Sequence, residues 1–276
     1  MSNRILFVFV FTAIGSFAGL QTALAEHDGK VQILLLGDST TEGIIPRRHV
    51  PQGPHLEEVI RSLLAEEKDL PPTNVVNLGL SGEYVRGLLD SGRYEKLASK
   101  LPGIDFVLIR YGLNDNVRRE NFVENFPKDY HELIGRLKVD HPHATLIVTT
   151  VIPYVDEATS KKLNDLNRAV ATAEGVLLFD LYPRYAEELK RGPHMLNYRR
   201  FPLSQIPENR REFVKPFVVQ GDPALVEVLD NRLDAHFADL PGWFADRHPN
   251  LAGYHVIGDE TAKYLTPLIR TKFVKR

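Results

Sequence analysis

The chain has 276 residues, of which 43% are hydrophobic and 25% are charged, and its formal net charge at pH 7 is −2. This length suits one α/β domain with a large core. The near-neutral charge gives no electrostatic reason to expect a nucleic-acid partner. The absence of cysteine excludes disulfides, a thiolate nucleophile and a cysteine-ligated metal.

The first 25 residues have the pattern of a secretory signal peptide. Arg4 precedes an almost wholly apolar stretch, residues 5–20, and Ala23-Leu24-Ala25 is a small-x-small cleavage site. An uncleaved membrane anchor is the alternative, but the apolar stretch is short for a span. We therefore predict a signal peptide over 1–25, a mature domain over 26–276 and a secreted or periplasmic location. No stable membrane span is expected after signal cleavage.

Short apolar runs alternate with helix-period segments along the rest of the chain. The runs predict strands at 31–36, 74–78, 104–110, 144–151 and 176–179. Apolar residues at helical spacing predict helices over 55–67, 122–138 and 158–174. Pro127 is expected to delay the regular part of the second helix. Strands that alternate with helices indicate βαβ units, and hence a parallel sheet covered on both faces.

A candidate nucleophile follows the first strand, in Gly37-Asp38-Ser39-Thr40. The glycine ends the strand in a turn, which puts the Ser39 hydroxyl where open α/β sheets keep their ligand crevices. Near the other end of the chain stands Asp246-Arg247-His248-Pro249-Asn250. These segments supply a hydroxyl, a general base in His248 and an acid in Asp246 to orient that base.

Two further loops carry groups suited to an oxyanion hole. One reads Ser81-Gly82-Glu83 after the second strand, and Gly82 can bring its backbone N–H close to a bound oxygen. The other contains Asn114, whose side-chain amide can donate to an oxyanion. In a parallel sheet these loops share one edge with Ser39. We therefore predict an oxyanion hole made by the N–H groups of Ser39 and Gly82 and the Asn114 amide.

At four places the sequence resembles the SGNH, or GDSL-type, hydrolases. The similar blocks are Gly37-Asp38-Ser39-Thr40, Asn77-Leu78-Gly79-Leu80-Ser81-Gly82, Gly112-Leu113-Asn114-Asp115 and Asp246-Arg247-His248-Pro249-Asn250. The resemblance runs from about Val31 to Leu268. It implies a flavodoxin-like three-layer α/β/α sandwich with a five-stranded parallel sheet. It also implies ester hydrolysis through an acyl-enzyme, with Ser39, Gly82, Asn114 and His248 in the roles given above.

The last block departs from the family pattern. The family usually places its acid three residues before the histidine, and that position is Ala245 here. Asp246 is the nearest acid, and residues two apart in an extended segment point to the same side. Asp246 is therefore expected to orient His248, with a backbone carbonyl or another acid as the alternative. Asp180, at the end of the fifth strand, is a backup acid.

About sixty residues separate the fifth strand from His248, where a short loop would suffice. Residues 191–215 are rich in Arg, Pro and aromatic side chains, and Asp222-Pro223 predicts the start of a helix through about His236. We interpret 191–240 as an insertion over the active-site face. It forms either a substrate rim or a packing elaboration.

For several other residues the sequence allows a structural role as well as a functional one. Asp38 is expected to stabilise its turn by an Asx hydrogen bond rather than act as an acid. Asp115 is also expected to be structural. Arg110 either contacts substrate or pairs with a nearby acid, and pairing is the expectation. His49 and His55 match no compact metal motif and are expected to be solvated loop histidines.

The aromatic cluster around residues 198–201, together with Trp243, can be interpreted in two ways. Flat aromatic faces could stack on sugar rings, or Trp243 could close the core near His248. The cluster comprises Tyr198, Arg199, Arg200 and Phe201.

The leading functional expectation is a secreted esterase that removes small acyl groups, most simply acetyl, from carbohydrate. Its substrate would be a small-molecule or polysaccharide ester, and no cofactor and no metal are predicted. A lipase, lysophospholipase or thioesterase of the same fold is the alternative. A non-catalytic carbohydrate-binding relative would have to lack residues that are present here. A nucleotide- or flavin-binding domain is disfavoured because Asp38 would repel a phosphate.

Overall fold

The central feature of the fold is a five-stranded parallel sheet. The computed structural model describes residues 29–274. The sheet contains β1 (Val31–Gly37), β2 (Thr73–Asn77), β3 (Phe106–Arg110), β4 (Thr145–Thr149) and β5 (Leu177–Phe179), in the order β2-β1-β3-β4-β5. Leu34 of β1 lies opposite Val76 on one side and Val107 on the other. This is the flavodoxin-like order that the resemblance predicted, and all five strand predictions are confirmed.

Twelve α-helices accompany the sheet within the described residues. The longer ones are α3 (Leu56–Ala65), α7 (Phe122–Asp140), α8 (Glu157–Glu174), α9 (Tyr182–Leu189) and α12 (Leu251–Phe273). The shorter ones are α1 (Ser39–Glu42), α2 (Ile44–His49), α4 (Val85–Asp90), α5 (Arg93–Lys96), α6 (Asp115–Arg118), α10 (Arg211–Val214) and α11 (Asp234–Phe237). Four short 3₁₀ turns cover Ala98–Lys100, Leu203–Gln205, Glu208–Arg210 and Lys215–Phe217.

Alternation along the strands builds one core on each face of the sheet. Leu34 and Leu36 of β1 face the core covered by α4, α7 and α8. Ile33 and Leu35 face the opposite core, covered by α3, α9 and α12. Because successive strand residues point to opposite faces, a continuous apolar run feeds both cores. The result is the predicted three-layer α/β/α sandwich.

One helix boundary differs from the prediction. Helix α7 begins at Phe122 and runs through Pro127, so the proline does not delay it. Phe122, Phe126 and Tyr130 form one buried face on both sides of the proline. The ring removes a single N–H near the helix start, and burial of this face compensates for it.

The 191–240 segment folds into a small antiparallel sheet. Strand β8 (Leu225–Val228) lies between β6 (Arg199–Pro202) and β7 (Val218–Val219). The prediction of a helix starting at Asp222-Pro223 is wrong, because this pair, joined by a cis peptide bond, leads into β8. The β-favouring residues of β8 find partners on both sides, which overrides the local helix signal. Between Asp222 and His236 the only α-helical residues are the first three of α11, which begins at Asp234.

The predicted signal peptide, residues 1–25, lies outside the described residues. Within residues 29–274, no helix is both long enough and apolar enough to cross a membrane.

Candidate active site

Ser39 is the first residue of α1, directly after the turn that ends β1. The Asp38 side chain caps this helix, since its Oδ1 accepts from the Thr40 backbone N–H at 2.8 Å and from the Thr40 hydroxyl at 2.7 Å. Tyr254 donates to the Ser39 carbonyl at 2.9 Å. Ser39 is 7% exposed. The turn is therefore fixed from both sides, and Asp38 has the structural role predicted for it.

Ser39, His248 and Asp246 form one connected chain of hydrogen bonds. The distance from Ser39 Oγ to His248 Nε2 is 2.9 Å, and that from His248 Nδ1 to Asp246 Oδ1 is 2.7 Å. The same Oδ1 accepts the His248 backbone N–H at 3.0 Å. With Nδ1–H donating to the carboxylate, Nε2 is left to accept from the serine hydroxyl. This arrangement matches a nucleophile, a general base and an orienting acid.

Asp246 is held in its ionised form. Burial opposes ionisation, but the hydrogen bonds and charge of His248, together with the charge of Arg200, outweigh it and lower the pKa of Asp246. An ionised Asp246 accepts from Nδ1 and stabilises a positive charge on the imidazole.

The loop that carries Gly82 contacts helix α1 just after the nucleophile. Asn77 donates to the Thr41 carbonyl at 2.8 Å, and a Cβ at Gly79 would overlap the backbone of Glu42. Gly82 itself has φ +77°, a region that favours glycine. These features bind the second loop to the turn after β1.

The Asn114 side chain joins the third loop to the second. Its Nδ2 donates to the Glu83 carbonyl at 3.0 Å. Glu83 is fixed in turn by Arg93 at 3.0 Å and by the Tyr111 hydroxyl at 2.6 Å. An amide nitrogen carries two hydrogens, so one bond to Glu83 leaves the other for an oxyanion. Ser39, Gly82 and Asn114 thus stand on three interconnected loops at one sheet edge.

Asp115 and Arg110 are buried supports beneath these loops. Asp115 accepts from the backbone N–H groups of Val85 at 2.8 Å and Gly112 at 3.0 Å. Burial raises the pKa of Asp115 to about 7. Arg110 donates to the Thr40 carbonyl, and its charge partly offsets the effect of burial, which raises the pKa of Asp38. Arg110 braces the backbone next to Ser39, whereas Asp115 braces the loops that carry Gly82 and Asn114. Within residues 29–274 Arg110 forms no ion pair with an acid, so the predicted pairing is wrong; its guanidinium donates to a backbone carbonyl instead.

The family model that describes the GDSL-like lipase/acylhydrolase family matches residues 35–256 of this chain. The chain belongs to this family. The match spans all four blocks discussed above and supports hydrolysis of esters. Comparison of the sequence with curated proteins finds no match.

Solved structures with the same fold include several hydrolases. The lipase/acylhydrolase from Enterococcus faecalis is 18% identical, with a TM-score of 0.53 over 86% of this chain and 96% of that chain. The acetylxylan esterase Axe2 from Geobacillus stearothermophilus is 17% identical, with a TM-score of 0.53 over 85% and 94%. An α/β hydrolase from the metagenome of Lake Arreo is 20% identical, with a TM-score of 0.52 over 86% and 96%. At these identities the likeness shows the shared fold.

Three residues considered for the site serve elsewhere in this GDSL-family chain. His49 ends α2, where its Nε2 lies 2.7 Å from Glu227, so the prediction of a solvated loop residue is wrong for it. His55 is the N-cap residue of α3. Asp180 accepts from Thr150 at 2.9 Å and pairs with Arg168 at 2.8 Å. Within residues 29–274, no group of three or more metal-binding side chains comes together.

The aromatic cluster forms core rather than a sugar platform. Tyr198 and Trp243 are fully buried and Phe201 is 3% exposed, so their faces do not reach solvent. Trp243 donates from Nε1 to Asp234 at 2.8 Å, and Arg199 pairs with the same carboxylate. The second reading of Trp243, as a core residue, is the correct one. Its core belongs to the 191–240 segment and includes Phe201, Ile206, Val214, Val226, Val228, Leu233 and Phe237.

Tyr154 contacts His248 and was missed by the sequence analysis. Its hydroxyl oxygen lies 3.0 Å from Nδ1 and 3.4 Å from Nε2, and the two rings stand at 86°. Burial and the charges of Asp246 and Asp38 raise the pKa of Tyr154, so its hydroxyl stays protonated at neutral pH. Tyr154 follows β4 closely, so its position at the carboxyl end of a parallel strand, the feature that identified the other three loops, also marks it as a candidate.

Proposed function

We propose that this protein is a secreted serine esterase that removes small acyl groups, chiefly acetyl, from carbohydrate through an acyl-enzyme on Ser39. The observation that carries the proposal is the hydrogen-bonded chain from Ser39 Oγ through His248 to Asp246, with distances of 2.9 Å and 2.7 Å. The family match supports ester hydrolysis, and this chain of bonds supports the serine mechanism.

The first half of the proposed reaction forms the acyl-enzyme. Ser39 Oγ attacks the ester carbonyl carbon while its proton passes to His248 Nε2. The N–H groups of Ser39 and Gly82 and the Asn114 amide stabilise the oxyanion of the tetrahedral intermediate. The bond to the alcohol oxygen then breaks, and His248 gives the proton to that oxygen. The alcohol leaves, and the acyl group remains on Ser39.

The second half releases the acid. His248 takes a proton from water, and the resulting hydroxide oxygen attacks the acyl carbon. The bond between that carbon and Ser39 Oγ breaks, and the proton returns to Oγ. Asp246 stays ionised throughout and stabilises the positive imidazole in both halves. The cycle consumes water and ester and needs no cofactor or metal.

Three points support an acetylated carbohydrate as the substrate. One relative of the same fold, Axe2, is an acetylxylan esterase. The Thr40 that follows Ser39 gives a block like that of plant-polysaccharide acetylesterases, many other relatives having leucine there. Export, expected from the pattern of residues 1–25, would bring the enzyme to extracellular polysaccharide.

An ester with a longer acyl chain is the second candidate substrate. Leu80 is 41% exposed and Val117 is 81% exposed. Leu80 is two residues before Gly82, and Val117 lies in α6, three residues after Asn114. Exposed apolar side chains at that position would contact an acyl chain and favour a lipase or thioesterase.

A substrate screen distinguishes the two candidates. The purified protein would be assayed on nitrophenyl esters of increasing acyl length and on acetylated xylooligosaccharides, with Ser39→Ala as the control. We expect the highest kcat/KM on acetyl esters and loss of turnover in Ser39→Ala. A kcat/KM that rises with chain length would favour the lipase reading, and activity that survives in Ser39→Ala would end the serine mechanism.

A further inference from the structure

Residues 196–198, which lead into β6, run antiparallel to residues 248–250 of the loop that carries His248. The Tyr198 N–H donates to the His248 carbonyl at 3.0 Å, and the Asn250 N–H donates to the Leu196 carbonyl at 2.8 Å. Between these two bonds, Asn197 faces Pro249 in an antiparallel bridge. Continuing this register places Arg200 opposite Asp246. The segment is therefore joined directly to the loop that supplies the base and the acid.

Arg200 meets Asp246 through the carboxylate oxygen that His248 does not use. Its Nη2 lies 2.8 Å from Oδ2, while Oδ1 accepts both bonds from His248. The Asp246 side chain is 6% exposed and that of Arg200 is 43% exposed. The carboxylate thus accepts hydrogen bonds from His248 on one oxygen and forms an ion pair with Arg200 on the other, where the contact lacks hydrogen-bond geometry.

We propose that Arg200 is a positioning residue that acts through Asp246 and fixes its carboxylate toward His248. This inference rests on the proposed function. Asp246 stands one residue closer to the histidine than the acid of the resembling family, so its carboxylate must reach Nδ1 over a shorter stretch of backbone. A cross-strand partner on Oδ2 restricts rotation of the Asp246 side chain and keeps Oδ1 on the imidazole. The 191–240 segment thereby supports the catalytic groups instead of binding sugar through its aromatic residues.

The charged environment of Asp246 is consistent with this role. Both Arg200 and Arg247 act on the nearby Tyr154 hydroxyl, but only Arg200 forms an ion pair with Asp246 among the contacts of the described residues. An ion pair with a half-exposed arginine adds little to stability in general. Loss of Arg200 should therefore appear in turnover rather than in unfolding.

The test compares three variants on two substrates, nitrophenyl acetate and an acetylated xylooligosaccharide. Arg200→Ala should lower kcat about 10-fold on both substrates and leave KM unchanged, because the effect arises at the acid and not at the substrate. Arg200→Lys should restore most of the loss, since an ammonium can still pair with Oδ2. Arg210→Ala is the matched control, because Arg210 pairs with Asp239 in the same segment at 2.7 Å, and it should keep the kcat of the unaltered protein.

Each other outcome overturns the proposal in a recognisable way. An unchanged kcat in Arg200→Ala would remove the positioning role. A rise in KM confined to the saccharide would make Arg200 a substrate contact, and an equal loss in Arg210→Ala would indicate general loosening of the segment. Arg200→Gln serves as a second variant should the alanine variant fold poorly. Absence of Ser39-dependent turnover in the unaltered protein would instead refute the proposed function.

Discussion

Asp246 lies only two residues before His248, yet its carboxylate reaches the imidazole because one of its oxygens accepts hydrogen bonds from both the backbone and the side chain of His248. Asp246 Oδ1 accepts both the backbone N–H and Nδ1 of His248. The backbone bond fixes the turn, and the side-chain bond then fixes the ring. Tyr154 packs against the same ring at a centroid distance of 5.1 Å. The imidazole is consequently held on three sides, with Nε2 directed to Ser39.

Replacing Asp246 with asparagine should abolish most of the activity. The introduced amide could offer its nitrogen to Nδ1 of His248, which would favour the wrong tautomer and leave Nε2 protonated. We expect kcat to fall by roughly 10³–10⁴-fold, as measured on nitrophenyl acetate. Asp180→Asn is the matched control, because Asp180 pairs with Arg168, and it should leave kcat within about 2-fold of the unaltered protein. A large loss of kcat in Asp180→Asn with a small loss in Asp246→Asn would assign the orienting role to Asp180.

Asn114 provides a second test at the level of a single residue. Asn114→Ala should lower kcat by roughly 10²–10³-fold with little change in KM, because the amide acts on the oxyanion and not on the ground-state ester. Steady-state kinetics of Asn114→Ala and Asn116→Ala, two asparagines two positions apart, would measure this. A loss of similar size in both variants would mean disruption of the loop instead of a missing oxyanion donor.

At the scale of elements, the 191–240 segment has its own core and its own sheet. Its strand β6 continues the stretch that pairs with residues 248–250, so folding of this small sheet sets the position of the catalytic loop. The sequence predicted that the segment exists but misjudged its content. Asp222-Pro223 is a helix-start signal on its own, and β8 forms because β6 and β7 are available as partners. That information is non-local and cannot be read from the window around Pro223.

The core of the 191–240 segment can be tested by truncating a buried aromatic residue. Trp243 is fully buried and bonded to Asp234, so Trp243→Ala should reduce the free energy of unfolding by about 3–5 kcal/mol. Phe213, in the same segment, is 47% exposed, and Phe213→Ala should cost less than about 1 kcal/mol. Urea unfolding of both variants measures the difference. Equal losses would contradict the placement of Trp243 in this core.

At the scale of the whole molecule, the parallel sheet explains why distant blocks meet. Ser39, Gly82, Asn114 and Tyr154 all follow the carboxyl ends of neighbouring strands, β1 to β4. Alternation of strands and helices was enough to predict that edge, and hence most of the site. Arg200 was not predictable as a partner of Asp246, because its position depends on the register between the two segments and not on any local motif.

A pH dependence of stability follows from the buried carboxyl of Asp115. Burial raises its pKa in the folded protein to about 7, against an unfolded pKa near the usual ~3.9, so the folded state binds the extra proton between these values. The contribution of Asp115 to stability therefore declines as pH rises from about 4 to 7, by up to roughly 4 kcal/mol, and is constant above that range. The excess stability of the unaltered protein over Asp115→Asn should shrink accordingly in urea unfolding at several pH values.

Asp156 is an exposed acid whose pKa shifts in the opposite direction to that of Asp115. Asp156 caps α8, and hydrogen bonds from Thr159 lower the pKa of Asp156. Its contribution is present above the unfolded pKa and is lost as pH falls through the folded pKa. The difference between the unaltered protein and Asp156→Asn should therefore diminish toward acid pH.

For Asp115 the opposite result would be decisive. A stability difference between the unaltered protein and Asp115→Asn that grew from about pH 4 to 7 would contradict the burial of a protonated carboxyl beneath the loops.

The most direct test of the serine mechanism is to locate the acyl group during turnover. The purified protein would be mixed with nitrophenyl acetate, quenched with acid at short times and digested for peptide mass analysis. We predict a single acetyl adduct on Ser39, which is present during turnover, disappears once the ester is exhausted and is absent from Ser39→Ala. An adduct on any other residue, or steady turnover by Ser39→Ala, would contradict the account.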